Sequence, residues 1–156
     1  MKIFFDSLGC PKALVDAEKM SYLIEKEGHI LVNSTDEAEA IIVNTCGFIE
    51  TAKKENIEAI LNYTELKKEK PFLKIIVSGC LSERYREEIL KAIPEIDAAI
   101  GVRDFTKIID ALSKKDRKKL LDDGEIRNDA FFPERSLNFS GLNYAYLKIS
   151  EGCNKR

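Results

Sequence analysis

Residues 40–47 read AIIVNTCG and residues 74–81 read KIIVSGCL, and these two stretches decide the fold. In each, an apolar run too short for a helix is followed by a cysteine that has a glycine beside it. Continuous apolar runs of this length are typical of strands buried on both faces of a parallel sheet. A segment with helical periodicity follows each run, which predicts parallel strands joined by crossover helices.

The same alternation extends over the rest of residues 1–113. Three weaker strands are predicted as well, at residues 3–5, 29–32 and 98–100. The resulting order, β-α-β-β-α-β-α-β-α, predicts an α/β fold: a flavodoxin-like, parallel five-stranded sheet with helices on both faces. The number of strands and the right-handedness of crossovers favour the strand order 2-1-3-4-5.

Details of the helices can be predicted from caps and periodicity. Ser82 and Asp104 are predicted to cap the last two helices, because their side chains can accept hydrogen bonds from free backbone N–H groups. The long helix after residue 49 is predicted to bury one side, which includes Ile57 and Leu61.

Composition excludes several classes of protein. The chain has 156 residues, of which 44% are hydrophobic and 33% charged, with 8 Gly and 4 Pro. These values exclude disorder and collagen-like repeats. No apolar run approaches the length of a membrane helix. No signal peptide is recognised at the start of the sequence. We therefore expect a cytoplasmic protein without a membrane partner.

The balance of acidic and basic residues indicates whether the chain binds nucleic acid. The 25 basic and 27 acidic residues give a net charge of −2, so the excess positive field of a nucleic-acid-binding domain is missing. The basic run 114–119 is interpreted as a solvated surface at a helix end. Nucleic acid is not an expected partner of this chain.

Domain boundaries are predicted from a change in composition. Residues 1–113 form the α/β domain. Residues 114–140 are a linker, or a loop that returns to the domain through Phe131 and Phe132. Residues 142–149, LNYAYLKI, are predicted as a fresh strand, so that residues 141–156 look like the start of another, truncated domain.

Three cysteines share one position in this pattern. Cys10, Cys46 and Cys80 each follow a predicted strand, touch a glycine and precede a helix, at spacings of 36 and 34 residues. In the order 2-1-3-4-5 the preceding strands are neighbours about 4.8 Å apart, so the thiols can converge at the carboxyl edge of the sheet, where such sheets bind ligands. Glycines allow close backbone approach, and helix N-termini are expected to favour the thiolate, the form that ligates metal.

The residues leave the occupant of this site open. Zinc sites usually contain close cysteine pairs, and none exists here; the single histidine, His29, is interpreted as a surface or packing residue. A cubane iron–sulfur cluster held by three cysteines fits and leaves one iron open. Alternatively, these cysteines fill space beside strands as small apolar residues. Disulfides are not expected without a secretory signal, and Cys153 could be an exposed thiol.

Four motifs of this sequence resemble those of a known family. They are SLGCPKALVDAE at residues 7–18, NTCGFI at 44–49, SGCL at 78–81 and ISEGCN at 149–154, and they are similar to the methylthiotransferase branch of the radical-SAM enzymes. One kind in that branch modifies an aspartate of a small-subunit ribosomal protein, and another modifies an isopentenylated adenosine in tRNA. Pro11-Lys12 resembles the first kind, because the tRNA enzymes usually have Gly-Cys-Gln-x-Asn here.

The resemblance implies specific ligands. Cys10, Cys46 and Cys80 match the three ligands of an auxiliary 4Fe–4S cluster in the N-terminal domain. Cys153 matches the first cysteine of the C-x₃-C-x₂-C motif that binds the radical-SAM 4Fe–4S cluster, and its two companions are absent here. No catalytic residue is assigned, and the chain alone is expected to be inactive.

The resemblance also implies an activity for the whole enzyme. S-adenosyl-L-methionine would supply a radical and a methyl group, and a methylthio group would be added to the β-carbon of the aspartate. Sulfide or methylsulfide would bind the open iron of the auxiliary cluster. The alternatives are a tRNA adenosine methylthiotransferase and a metal-free flavodoxin-like binding module.

Overall fold

The computed structural model describes residues 1–113 and 134–149. Its core is one sheet of five strands, all parallel, in the order β2-β1-β3-β4-β5, which confirms the predicted fold class and strand order. The strands are β1 (Lys2–Ser7), β2 (Ile30–Val32), β3 (Ala40–Thr45), β4 (Lys74–Gly79) and β5 (Ala98–Ile100). The helices are α1 (Pro11–Lys26), α2 (Glu50–Glu69), α3 (Cys80–Ala92) and α4 (Ile108–Ser113).

Two hydrophobic cores lie on opposite faces of the sheet. Side chains of α1 and α4 pack on one face and side chains of α2 and α3 on the other. Strand β3 is central, and all six of its residues are buried. Burial on both faces explains why its sequence is a continuous apolar run rather than an alternating one.

The strand register aligns the carboxyl ends of the three central strands. Ser7 of β1 lies opposite Asn44 of β3, and Thr45 of β3 lies opposite Gly79 of β4. Because parallel strands point the same way, the segments that leave these strands emerge side by side at one edge of the sheet.

The side of α2 that was predicted to be buried is wider than the side that is buried in the structure. Asn56, Ile60 and Thr64 are buried, whereas Ile57 and Leu61 are 40% and 47% exposed. The buried residues recur every four positions and form a narrow stripe. Ile57 and Leu61 follow two of them by one residue, a rotation of about 100° that carries them away from the sheet.

The two predicted caps are wrong. Helix α3 begins at Cys80, two residues before Ser82, whose hydroxyl is inside the helix and donates to the carbonyl oxygens of Gly79 and Ile100. Asp104 lies within a 3-10 helix, Val102–Lys107, and forms an ion pair with Arg86 at 3.1 Å. Ser82 therefore lies too far inside its helix to cap it, and the carboxylate of Asp104 pairs with Arg86 instead of with backbone N–H groups.

Residues 142–149 form no strand within the described part of the chain. A strand needs a neighbouring backbone with which to pair, and this segment instead contacts the domain through side chains. Before it, a 3-10 helix, Leu137–Ser140, places Phe139 against Phe5 with the ring centroids 4.9 Å apart. The chain therefore returns to the domain here, whereas Phe131, Phe132, the basic run 114–119 and Cys153 lie outside the described residues.

No helix within residues 1–113 and 134–149 is long and apolar enough to cross a membrane.

Candidate metal centre at the carboxyl edge of the sheet

The segments that carry Cys46 and Cys80 are in backbone contact. A Cβ atom on Gly47 would lie 2.9 Å from the Cα atom of Leu81. Gly79, which precedes Cys80, has a φ of 97°, and a Cβ atom there would overlap the carbonyl oxygen of Thr45. Only glycine accepts both this conformation and this proximity, so the two glycines allow the two cysteine segments to meet.

A buried polar network connects the Cys10 segment to the other two. Cys10 is the N-cap residue of α1. In the first turn of that helix, the Ala13 carbonyl oxygen accepts a hydrogen bond from Asn44 Nδ2 at 2.7 Å. Ser78 Oγ donates to Asn44 Oδ1 at 3.3 Å, and Thr45 Oγ1 donates to the Ser78 carbonyl oxygen at 2.5 Å. Asn44 therefore links α1, β3 and β4 at the level of the cysteines.

The backbone of Cys46 is held separately. Its N–H donates to Asn56 Oδ1 at 3.1 Å, and Asn56 Nδ2 donates to the Ala52 carbonyl oxygen at 2.5 Å. Asn56 is 1% exposed, so its amide is part of the core rather than of the surface. Because α2 begins only at Glu50, Cys46 lies in a loop, whereas Cys10 and Cys80 lie at helix starts.

Burial and nearby charges act on the Cys80 thiol. Its pKa is raised, first by burial of the thiol and then by the negative charges of Cys46, Cys10 and Asp16, whereas Lys12 lowers it. This direction is opposite to the lowering expected from a helix N-terminus, because desolvation and like charges both disfavour the thiolate.

Exposure of the thiols disfavours a role in packing. All three cysteines are free, Cys10 and Cys80 are exposed, and Cys46 is half-buried. A cysteine that fills space beside a strand would instead be buried. The sulfur atoms are therefore available to a ligand at the edge of the sheet.

The chemistry of the donor set bears on what the site could hold. Among the described residues, no three His, Cys, Asp or Glu side chains are arranged to hold a metal ion. Cysteine is the usual ligand of iron–sulfur clusters. Three free cysteines, of which Cys10 and Cys80 are exposed and Cys46 is half-buried, are therefore the donor type that such a cluster would use.

Sequence reasoning missed the two asparagines of this site. Asn44 ends a strand that is otherwise apolar, and Asn56 lies on the buried stripe of α2. A polar side chain among buried residues needs hydrogen-bond partners. The presence of an asparagine in each of these buried patterns was therefore the feature of the sequence that could have indicated a structural role. Their partners are distant in sequence, so only the fold could identify them.

Replacing Asn44 by alanine is expected to weaken the fold at the cysteine edge. It would remove the donor to Ala13 and leave the Ser78 hydroxyl without its acceptor, at a cost of about 1–3 kcal/mol in the free energy of unfolding. Urea denaturation monitored by circular dichroism would measure the loss. Asn33 is exposed, so Asn33→Ala is the matched control; equal stability of the two variants would contradict this role of Asn44.

The fold and the site define a flavodoxin-like α/β protein with three thiols gathered at the carboxyl edge of its sheet. The chain belongs to the family described as Uncharacterized protein family UPF0004, which matches residues 2–101.

The curated relatives of the chain carry a more specific name. It is 49% identical over 150 residues to the Ribosomal protein uS12 methylthiotransferase RimO of Caldanaerobacter subterraneus, covering 94% of this chain and 34% of that protein. The proteins of the same name from Clostridioides difficile and Bdellovibrio bacteriovorus are 45% and 42% identical, covering 98% and 99% of this chain and 35% and 34% of those proteins. The resemblance to methylthiotransferases is thereby confirmed, and the chain spans about a third of the length of the curated relatives it matches.

Proposed function

We propose that this chain is the N-terminal, cluster-binding part of a radical-SAM methylthiotransferase. Cys10, Cys46 and Cys80 would bind an auxiliary 4Fe–4S cluster, and Cys153 would be one ligand of a second cluster that binds S-adenosyl-L-methionine. The observation that carries the proposal is the position of Cys10, Cys46 and Cys80, which follow three neighbouring parallel strands at one edge of the sheet.

The residues of this chain would act as a rigid holder. Three protein thiolates leave one iron of a bound cluster open to sulfide or methylsulfide, and this cofactor would supply the sulfur chemistry. The Gly47 and Gly79 contacts and the Asn44 network would hold the three cysteine segments together around the cluster. Phe48, which is 84% exposed beside the Cys46 segment, adds an apolar side chain at the rim of the site.

The substrate is proposed to be ribosomal protein uS12, at the β-carbon of an aspartate. The names of the relatives support a ribosomal protein, and Pro11-Lys12 in this sequence supports the same kind of enzyme. The near-neutral charge of the chain agrees with a protein substrate rather than tRNA. The S-adenosyl-L-methionine and substrate sites would involve residues beyond this chain.

Anaerobic reconstitution with iron and sulfide tests the cluster. We expect about four irons per chain and the visible absorbance of a 4Fe–4S cluster, because three thiolates suffice to hold one. Iron analysis, ultraviolet–visible spectra and electron paramagnetic resonance measure the result. A chain that stays free of iron after repeated reconstitution would favour the metal-free binding module instead.

The substrate requires a separate experiment with the full-length enzyme. The reconstituted enzyme, S-adenosyl-L-methionine, a sulfide source and a reductant would be incubated with either uS12 or tRNA. Mass spectrometry should detect a methylthio group on an aspartate of uS12 and none on tRNA. Modification of tRNA alone would assign the enzyme to the other kind.

A further inference from the structure

Residues 134–149 are attached to the first helix and first strand of the domain. The backbone N–H of Ser136 donates to the Glu18 carbonyl oxygen at 3.1 Å, and Phe139 packs against Phe5 of β1. Near the far end of the segment, Lys148 contacts Asp16 of α1. The segment thus has contacts to the domain near both of its ends.

The contact between Lys148 and Asp16 is a buried, bidentate ion pair. Lys148 Nζ donates to Asp16 Oδ1 at 2.7 Å and to Oδ2 at 2.9 Å, and the two side chains are 5% and 9% exposed. Removing one member of a buried pair leaves an uncompensated charge, which is strongly unfavourable. The two residues are 132 positions apart in sequence, so this pair closes a very long loop.

A second ion pair in the segment is weaker. Arg135 Nη1 lies 3.3 Å from Glu18 Oε2, but that Glu18 oxygen has no aligned hydrogen bond. The same nitrogen instead donates to the Tyr146 carbonyl oxygen at 2.7 Å. Arg135 therefore stabilises the shape of the segment more than its attachment.

Hydrophobic burial does not hold the end of the segment. Tyr144, Leu147 and Ile149 are 55%, 82% and 88% exposed, so they bury little apolar surface. The Lys148–Asp16 pair is therefore the principal attachment of residues 142–149. Asp16 lies in α1, six residues after Cys10, which is the N-cap residue of that helix.

We propose that Lys148 is a positioning residue, whose ion pair with Asp16 fastens residues 142–149 to α1, the helix whose N-cap residue is Cys10. The pair thereby holds the segment against the helix that carries one of the proposed cluster ligands. That Cys10 is a cluster ligand rests on the proposed function, whereas the fastening itself does not.

A single tryptophan can report on the segment, because the chain contains none. Leu147→Trp replaces an exposed side chain and provides the background for Lys148→Met, Asp16→Asn and the double variant. Lys91→Met is the matched control, since Lys91 forms an exposed pair with Glu87 at 3.5 Å. Fluorescence anisotropy of the introduced tryptophan is measured on the chain without iron, and amide hydrogen exchange of β3 is followed as a check on the fold.

Each single variant is expected to lower the anisotropy of the introduced tryptophan, because the segment that carries it loses its attachment to α1. The double variant should lower the anisotropy little further, because residues of one pair are not additive, and Lys91→Met should leave it at the parent value. Exchange in β3 serves as the internal reference and should not change.

Three outcomes would overturn the proposal: anisotropy equal to that of the parent for Lys148→Met, additive decreases for the two single variants, or a rise of amide exchange in β3 that accompanies the decrease. Failure of the proposed function is a different result. It would appear as absence of iron in the reconstituted parent chain, with the decrease in anisotropy of the variants still present.

Discussion

Replacing Cys10, Cys46 or Cys80 by alanine is expected to abolish cluster binding, reducing iron from about four per chain to less than one. Each thiol would bind a different iron, and the helix starts and loop offer no neighbouring cysteine as a substitute. Iron analysis and electron paramagnetic resonance after anaerobic reconstitution measure this effect. Cys153→Ala is the control and should retain the cluster.

The same variants distinguish ligation from packing. Because Cys10 and Cys80 are exposed, their loss should change the free energy of unfolding by no more than about 0.5 kcal/mol. Full iron content combined with clear destabilisation would mean that these cysteines serve the core. A dispensable Cys46 together with an essential Cys153 would mean that the ligands are wrongly assigned.

Replacing Gly79 by alanine is expected to damage both the fold and the site. A residue with a side chain at φ 97° is strained, and its Cβ atom would overlap the Thr45 carbonyl oxygen, a backbone atom that cannot move without disturbing β3. Strain and overlap together should cost about 3 kcal/mol or more in the free energy of unfolding. Urea denaturation and iron content of the reconstituted variant measure the two effects.

Gly28 provides the control for this substitution. It also has a positive φ, 77°, but a Cβ atom there would meet nothing within 4 Å. Gly28→Ala should therefore cost only the conformational strain, about 1–2 kcal/mol, and leave iron content unchanged. If Gly79→Ala were as stable as Gly28→Ala and bound as much iron, close approach of the cysteine segments would not matter.

The sheet could be predicted because its strands carry an unambiguous pattern. β3 is buried at all six positions, so AIIVNT has no solvent face and resembles no helix of useful length. The predictions that were wrong concern burial and helix capping, which depend on contacts with other elements of the fold. The exposure of Ile57 and Leu61 depends on how much of α2 the sheet covers, and Ser82 and Asp104 have tertiary partners that local sequence does not reveal.

The segment 142–149 illustrates the same dependence. Its apolar and aromatic residues suit a strand, but a strand exists only when another backbone pairs with it. Among the described residues its contacts are instead made by side chains such as Lys148, whose partner lies 132 residues earlier.

The sequence by itself determined the parallel α/β fold, its strand order and the placement of Cys10, Cys46 and Cys80 after strands that are neighbours in the sheet, because residue type and spacing encode local conformation. Only the tertiary structure decided how closely the three cysteine segments approach, which asparagines hold them and that Asp16 pairs with Lys148. Those features depend on contacts between residues far apart in the chain, and such contacts are defined only once the sheet has brought them together.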